Sequence, residues 1–160
     1  MQTEPAVLTR EQIQAIIPHR EPFIFVDRIV EIEYGKRAVG ILDDLTRAEH
    51  AAWMRGHFPG FPVVPGAILI EALAEVGAVA ALGLPEHRGK IAMLTALRRW
   101  EFHRPAMPGR PVRLVAELTH LRGNYGRGHA QALDADGAVL AEGELSFAIV
   151  DKPAALSASG

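Results

Sequence analysis

The chain has 160 residues, of which 49% are hydrophobic and 22% charged, and its formal net charge is −2. This length and balance predict one soluble domain with its own core, and no apolar run reaches the roughly 18 residues that a membrane span requires. The absence of cysteine excludes disulfides, thiolate nucleophiles and cysteine metal sites. Because the N-terminus lacks the basic-then-apolar order of a signal peptide, we expect a cytoplasmic protein.

The first third of the chain predicts a short helix followed by a hairpin. Thr9 is a suitable N-cap for a helix that runs to Ile16. A strand is predicted over Phe23–Ile32, and a second over Arg37–Leu42 after a turn. The mixed polar stretch 43–55 predicts a loop with a short helical turn.

A proline-rich loop then leads into one long apolar helix. The loop HFPGFPVVPG, which begins at His57, holds three prolines and two glycines, so regular structure is excluded there. The stretch Ala67–Leu82 is almost entirely apolar apart from Glu71 and Glu75. This composition predicts a buried helix, with Gly83 as its C-cap.

The second half of the chain has the alternating pattern of strands. Four strands are predicted, which we interpret as an antiparallel meander: Ile91–Phe102, Pro111–Leu121, Gly126–Asp134 and Val139–Val150. An α+β fold follows, in which a curved antiparallel sheet of about six strands wraps around the long helix. We expect residues 1–152 to form this single domain and residues 153–160 to be a disordered tail.

Two titratable residues stand where proton-transfer chemistry is favoured. A buried carboxylate such as Glu71 is, alone, more often a structural hydrogen-bond partner, and a lone histidine such as His57 is usually structural too. A rigid loop that carries His57 directly into the helix with Glu71 favours a catalytic pair. Histidine suits a general base, whereas an apolar setting raises the pKa of a carboxyl and suits a general acid.

The start of the long helix adds a third element of a site. Backbone N–H groups in a first helical turn lack partners, so the amide of Gly66 is placed to polarise a carbonyl oxygen. Base, acid and carbonyl donor together suit β-elimination next to a carbonyl. We predict no metal, because the seven histidines are scattered, and no cofactor, because phosphate-binding and dinucleotide motifs are absent from the sequence.

Three stretches resemble the bacterial 3-hydroxyacyl-[acyl carrier protein] dehydratases of the hotdog superfamily, in particular the (3R)-hydroxymyristoyl-type branch. They are IIPHREPFIFVDRI from Ile16, GHFPGFPVVPGAILIEALAE from Gly56 and FHRPAMPG from Phe102. The resemblance runs from about Leu8 to Val150. It implies a hotdog fold and dehydration of 3-hydroxyacyl thioesters to trans-2-enoyl thioesters, in fatty acid or polyketide-type biosynthesis.

The resemblance also implies roles and partners. His57 would take the C2 proton, Glu71 would protonate the leaving hydroxyl, and the Gly66 N–H would hold the thioester carbonyl. In this family histidine and glutamate come from different subunits of a homodimer, and three dimers often form a hexamer. The other implied partner is an acyl carrier protein with a phosphopantetheine-linked chain; no nucleic acid or membrane partner is expected. The segment 98–127, with seven arginines and two glutamates, is consistent with docking that acidic carrier.

The chain departs from the family pattern at Glu75, where relatives typically have glutamine. Glu71 and Glu75 are four residues apart and share a helical face. Glu75 therefore either disfavours ionisation of Glu71, or points to a subunit interface and pairs with an arginine there. We slightly favour the interface.

Two other functions stay open on the sequence. A hotdog thioesterase would release free acid, and a non-catalytic subunit would bind acyl carriers or pair with an active partner. The PHR and HFPG motifs oppose the thioesterase, and the retention of His57 and Glu71 opposes the binding subunit. Acyl chain length, pathway, oligomer size and double-bond isomerisation are left open.

Overall fold

The computed structural model describes residues 6–157, and it consists of one antiparallel sheet and one long helix with short flanking helices. In chain order the elements are α1 (Arg10–Gln14), β1 (Arg28–Glu33), β2 (Arg37–Leu42), α2 (Ala48–Met54), α3 (Gly66–Leu82), β3 (Lys90–Phe102), β4 (Val112–Arg122), β5 (Tyr125–Leu133), β6 (Val139–Asp151) and α4 (Ala154–Ser157). A 3₁₀ turn, Pro85–His87, links α3 to β3. The predicted α+β architecture of six strands around a long helix is confirmed.

The strand order corrects one part of the prediction. The sheet runs β1-β2-β4-β5-β6-β3, so β3 pairs with β6 and not with β4. Only β4, β5 and β6 form a meander, and β2 occupies the other side of β4. The connection 103–111 contains three prolines, which lack the N–H of a tight hairpin ladder. This connection therefore carries the chain across the sheet, and leaves β3 at an edge.

The strand predicted over Phe23–Ile32 is shorter than expected, because β1 begins only at Arg28. The amides of Phe25 and Val26, which a strand would give to a neighbouring strand, donate instead to the side-chain carboxylate of Glu75. A side chain from α3 thus replaces the sheet as the partner of this segment.

The core lies between α3 and the inner face of the sheet. Eleven of the seventeen residues of α3 are buried, as expected of a helix that is apolar on all sides. Small residues face it from the sheet, and a Cβ at Gly40 would lie 2.6 Å from Cγ2 of Val76. The Ala-rich helix and this glycine allow helix and sheet to approach closely.

Asp27 ties three segments of the chain together outside the sheet. Its Oδ1 accepts hydrogen bonds from Arg10 and Arg47, each at 2.6 Å. Its Oδ2 accepts from the backbone N–H of Asp43 at 2.7 Å. Since Asp27 is largely buried, these charge-assisted bonds hold α1 and the start of α2 against the residue that precedes β1.

Both ends of the described chain carry short helices. Thr9 caps α1 in a capping box with Gln12, so the predicted N-cap is confirmed. The tail predicted to be disordered from residue 153 contains the helical turn α4, and residues 158–160 lie outside the described part. Within residues 6–157, no helix combines the length and apolarity needed to span a bilayer.

Candidate active site

His57 is held by Val63 through two hydrogen bonds across the proline-rich loop. The backbone N–H of Val63 donates to the carbonyl oxygen of His57 at 2.8 Å. The imidazole Nδ1 lies 2.8 Å from the carbonyl oxygen of Val63. The ring also stacks on Phe58, with centroids 4.1 Å apart. The loop therefore fixes both the backbone and the ring of His57.

The contact with Val63 selects the tautomer of His57. A carbonyl oxygen only accepts hydrogen bonds, so Nδ1 must carry the proton. In the neutral imidazole, Nε2 is then left with a free lone pair. A ring oriented in this way is prepared to take a proton through Nε2.

His57 and Gly66 line the same cavity, which has a volume of about 490 Å³. Gly66 is the first residue of α3, and a Cβ at this position would lie 2.5 Å from Cε1 of Phe102. The aromatic ring thus occupies the space that a side chain would need. The structure confirms a helix start at Gly66, where a first-turn amide has no acceptor within the helix.

Glu71 does not line this cavity in the same chain. It lines a separate cavity of about 340 Å³, whose walls include His19, Ala74, Met93 and Phe147. Glu71 is five positions after Gly66 in the helix, so the two residues point in directions about 140° apart and lie about 7.5 Å apart along the axis. One chain therefore brings His57 together with Gly66, and separates both from Glu71.

A cluster of three titratable side chains surrounds Glu71. His19 Nε2 lies 3.1 Å from Glu71 Oε1. Glu75 completes the cluster, because one side-chain nitrogen or oxygen atom from each of the three residues lies within 4.8 Å of the other two. On the sequence His19 is one of seven scattered histidines, and its contact with Glu71 was not predicted. The stretch PHREPF, which contains His19, belongs to the segments that resemble the family and could have marked this histidine. In the sequence, however, His19 is 52 residues from Glu71.

Glu75 is directed into the core of its own chain, so the prediction that it points to a subunit interface is wrong. The residue is 1% exposed. Its Oε1 accepts from the amide of Phe25 at 3.1 Å, and its Oε2 accepts from Phe25 at 2.9 Å and Val26 at 3.0 Å. Backbone amides, and not an arginine, are its hydrogen-bond partners.

Burial and neighbouring groups act in opposite directions on the pKa values of Glu75 and His19. Burial raises the pKa of Glu75 to about 7, although the N–H bonds from Val26 and Phe25 and the charge of His19 favour the ionised form. Burial alone would lower the pKa of His19, but the hydrogen bond to Glu71 and the charges of Glu75 and Glu71 outweigh it and raise that pKa. Glu75 therefore changes charge near neutral pH, and His19 keeps its proton to a higher pH than a free imidazole does.

Within residues 6–157, this is the one cluster in which three side chains of metal-ligand type lie close enough together to share an ion. Both oxygens of Glu75 already accept backbone N–H bonds. One of the three side chains, the carboxylate of Glu75, is therefore already occupied by hydrogen-bond donors. The cluster is explained as a hydrogen-bonded network.

Three of the seven arginines in the segment 98–127 meet on the outer face of the sheet. Arg98, Arg99 and Arg127 line a cleft of about 480 Å³ together with Tyr125 and Glu144. Arg99 has φ of 52° at an irregularity in the pairing of β3 with β6. This bulge groups the arginines on one surface.

An antiparallel six-stranded sheet wrapped around one long helix defines this chain as a hotdog-fold protein. The family model for a FabA-like domain matches residues 17–148. The chain belongs to this family, and within it to the FabZ-type dehydratases.

The curated relatives match the chain over nearly its full length. The 3-hydroxyacyl-[acyl-carrier-protein] dehydratase FabZ of Herpetosiphon aurantiacus is 51% identical over 145 residues, 91% of this chain and 100% of that protein. The FabZ of Thermomicrobium roseum is also 51% identical, over 90% of this chain and 94% of its own. Among solved structures, the dehydratase heterocomplex ApeI:P from Xenorhabdus doucetiae has a TM-score of 0.74 at 16% identity, covering 88% of this chain and 91% of that one. This structural likeness concerns the fold.

Proposed function

We propose that the chain dehydrates 3-hydroxyacyl thioesters carried by acyl carrier protein, giving trans-2-enoyl thioesters in the cytoplasm. The activity is the one named in the relatives that are 51% identical. The observation that supports the residue roles is the cavity shared by His57, with a free Nε2, and the first amide of α3.

The reaction divides between the three predicted residues. Nε2 of His57 takes the proton from C2 while the N–H of Gly66 stabilises the negative charge that develops on the thioester oxygen. The C3–O bond then breaks as the carboxyl of Glu71 gives its proton to the hydroxyl, and water leaves. Each turnover transfers one proton to His57 and one from Glu71. Before the next turnover, His57 must therefore release its proton and Glu71 must take one up.

The exposed edge of β3 supports a homodimer as the active form. No described strand pairs with the outer side of β3, although it has thirteen residues and exposes Met93, Leu94 and Leu97. A long apolar edge strand is normally covered by another chain. Met93 and Leu94 also line the cavity of Glu71, so a second copy on this edge would complete that cavity.

Subunit mixing tests the activity, the two residues and the dimer together. His57→Ala and Glu71→Gln should each nearly abolish hydration of a crotonyl thioester, followed as loss of enoyl absorbance. After random exchange of the two inactive variants, half of the dimers are mixed, and each has one intact site. We therefore expect about a quarter of the wild-type activity to return. No recovery, with exchange verified by differently tagged subunits, would contradict a site shared between subunits.

A thiol-release assay on the same thioester separates dehydration from thioesterase activity. Water addition without free thiol is the expected result. Absence of turnover in the wild-type chain on carrier-linked substrates would favour the non-catalytic subunit instead. Size determination by light scattering would distinguish a dimer from a trimer of dimers.

The arginine cleft on the outer face of the sheet is the proposed docking surface for the acidic carrier. Its three arginines supply the positive charge, and exposed charges of this kind act mainly on association. Arg127→Glu should therefore raise KM for a carrier-linked substrate and leave KM for a short thioester unchanged.

Glu75 is proposed to keep Glu71 protonated, since two carboxylates this close disfavour each other's ionisation. The proton of Glu71 is needed at the alkaline limb of the pH–rate profile. Glu75→Gln should move this limb to lower pH, and an unmoved limb would contradict the tuning role.

A further inference from the structure

The segment 17–26 approaches α3 beside Glu71. Hydrogen bonds within the segment fix its conformation at the start, and hydrogen bonds to α3 hold its end. At its start, the guanidinium of Arg20 donates to the backbone carbonyl oxygens of Ile17 and His19 in the same segment, at 3.1 and 2.7 Å. At its end, two consecutive amides donate to the buried carboxylate of Glu75. A segment that is braced internally at its start and tied to α3 at its end presents its side chains in defined positions.

His19 is the side chain of this segment that reaches Glu71. Its Nε2 shares a hydrogen bond of 3.1 Å with Oε1 of Glu71. Its Nδ1 is buried and has no hydrogen-bond partner in the described part of the chain. The contact with Glu71 is therefore the one hydrogen bond in residues 6–157 that orients the ring.

The contact also orients Glu71. The two side chains are similarly half-enclosed, 22% and 23% exposed, and both line the cavity of about 340 Å³. The remaining walls of this cavity are largely apolar, with Ala74, Ala78 and Phe147 among them. Without His19, a carboxyl against such walls would rotate towards water at the opening.

We propose that His19 is a positioning residue for the dehydration, which holds the Glu71 carboxyl towards the cavity on a segment that Glu75 anchors. The inference rests on the proposed role of Glu71 as the acid. His19 acts through Glu71 in this proposal, because its hydrogen bond goes to that carboxyl.

Three substitutions separate positioning from a general structural role. His19→Leu removes the hydrogen bond but keeps an apolar wall, and His19→Gln keeps an N–H donor at a similar distance from the backbone. His120→Gln is the matched control, because His120 is an exposed histidine of β4. Misplacement of a reacting group by about 1 Å costs roughly 100-fold in rate, so kcat of His19→Leu should fall by about 10- to 100-fold. KM should change by less than about 3-fold, because binding and orientation of the acid are separate interactions.

The glutamine variant adds a readout that a structural residue would not affect. The charged groups that act on His19 are Glu71, Glu75 and Arg20. A protonated His19 favours the ionised form of Glu71, and glutamine cannot carry this charge. We expect His19→Gln to recover kcat to within about 10-fold of wild type, and to move the alkaline limb to higher pH, opposite to Glu75→Gln.

The outcomes distinguish the inference from the proposed function. If the wild-type chain does not dehydrate, or His57→Ala keeps its rate, the proposed function is wrong. If those two behave as expected but His19→Leu keeps the wild-type kcat, or loses as much as His19→Gln, the positioning role is overturned. Should His19→Leu fail to fold by circular dichroism, His19→Gln decides alone, and an unchanged alkaline limb overturns the role.

Discussion

Replacing Glu75 by glutamine should change how stability depends on pH. A carboxyl whose pKa is raised in the folded state stabilises the fold when protonated, and this contribution is lost as pH rises from the unfolded value of 4.5 to the folded value of about 7. Stability of the wild-type chain should therefore fall across this window. Above it, the folded chain carries a buried negative charge whose cost no longer changes.

The size of the effect follows from the two pKa values. A difference of about 2.5 units corresponds to roughly 3.4 kcal/mol in total, at about 1.36 kcal/mol for each unit. Between pH 5 and pH 8, where part of the titration lies outside the range, the loss is about 2.5 kcal/mol. Glutamine does not titrate, so the variant should lack this contribution.

Urea denaturation at pH 5 and pH 8, at one fixed subunit concentration, measures the effect. The compared quantity is the change in unfolding free energy between the two pH values, which should differ between wild type and Glu75→Gln by about 2.5 kcal/mol. Glu86→Gln, at an exposed glutamate, is the matched control and should follow wild type. Equal pH dependence in all three proteins would refute the account of Glu75 as a buried acid.

Three further substitutions test the fold and the site. Asp27→Ala leaves two arginines without their shared carboxylate and should lower the unfolding free energy by about 3 kcal/mol in urea denaturation; a loss below about 1 kcal/mol would contradict its role as a tie. Gly66→Ala should cost about 1–3 kcal/mol and most of kcat, because the new Cβ displaces Phe102, and a crystal structure with the ring unmoved would exclude that cause. His50 is fully buried, which lowers its pKa, so stability should fall as pH drops below about 6.5 and the unfolded chain takes up the proton. His50→Phe should weaken this acid sensitivity in melts between pH 7 and pH 5, whereas an unchanged slope would assign it to other groups.

The sequence alone was sufficient for the long helix, for the number of strands and for three residues of the proposed site. Local patterns carried this information: three prolines after His57, an apolar run interrupted only by two glutamates, and alternating strands beyond residue 90. Such patterns report burial and backbone preference, which depend on near neighbours along the chain. The long helix and the six strands were predicted on this basis and are confirmed.

Tertiary structure decided the contacts between residues far apart in the chain. The pairing of β3 with β6 depends on where the connection 103–111 carries the chain, which strand patterning does not encode. Glu75 is hydrogen-bonded to a backbone amide 50 residues away in the sequence, and His19 and Glu71 are 52 residues apart. A titratable side chain is assigned a role by the groups that surround it in space, so the sequence could propose Glu71 as the acid but could not find the histidine beside it.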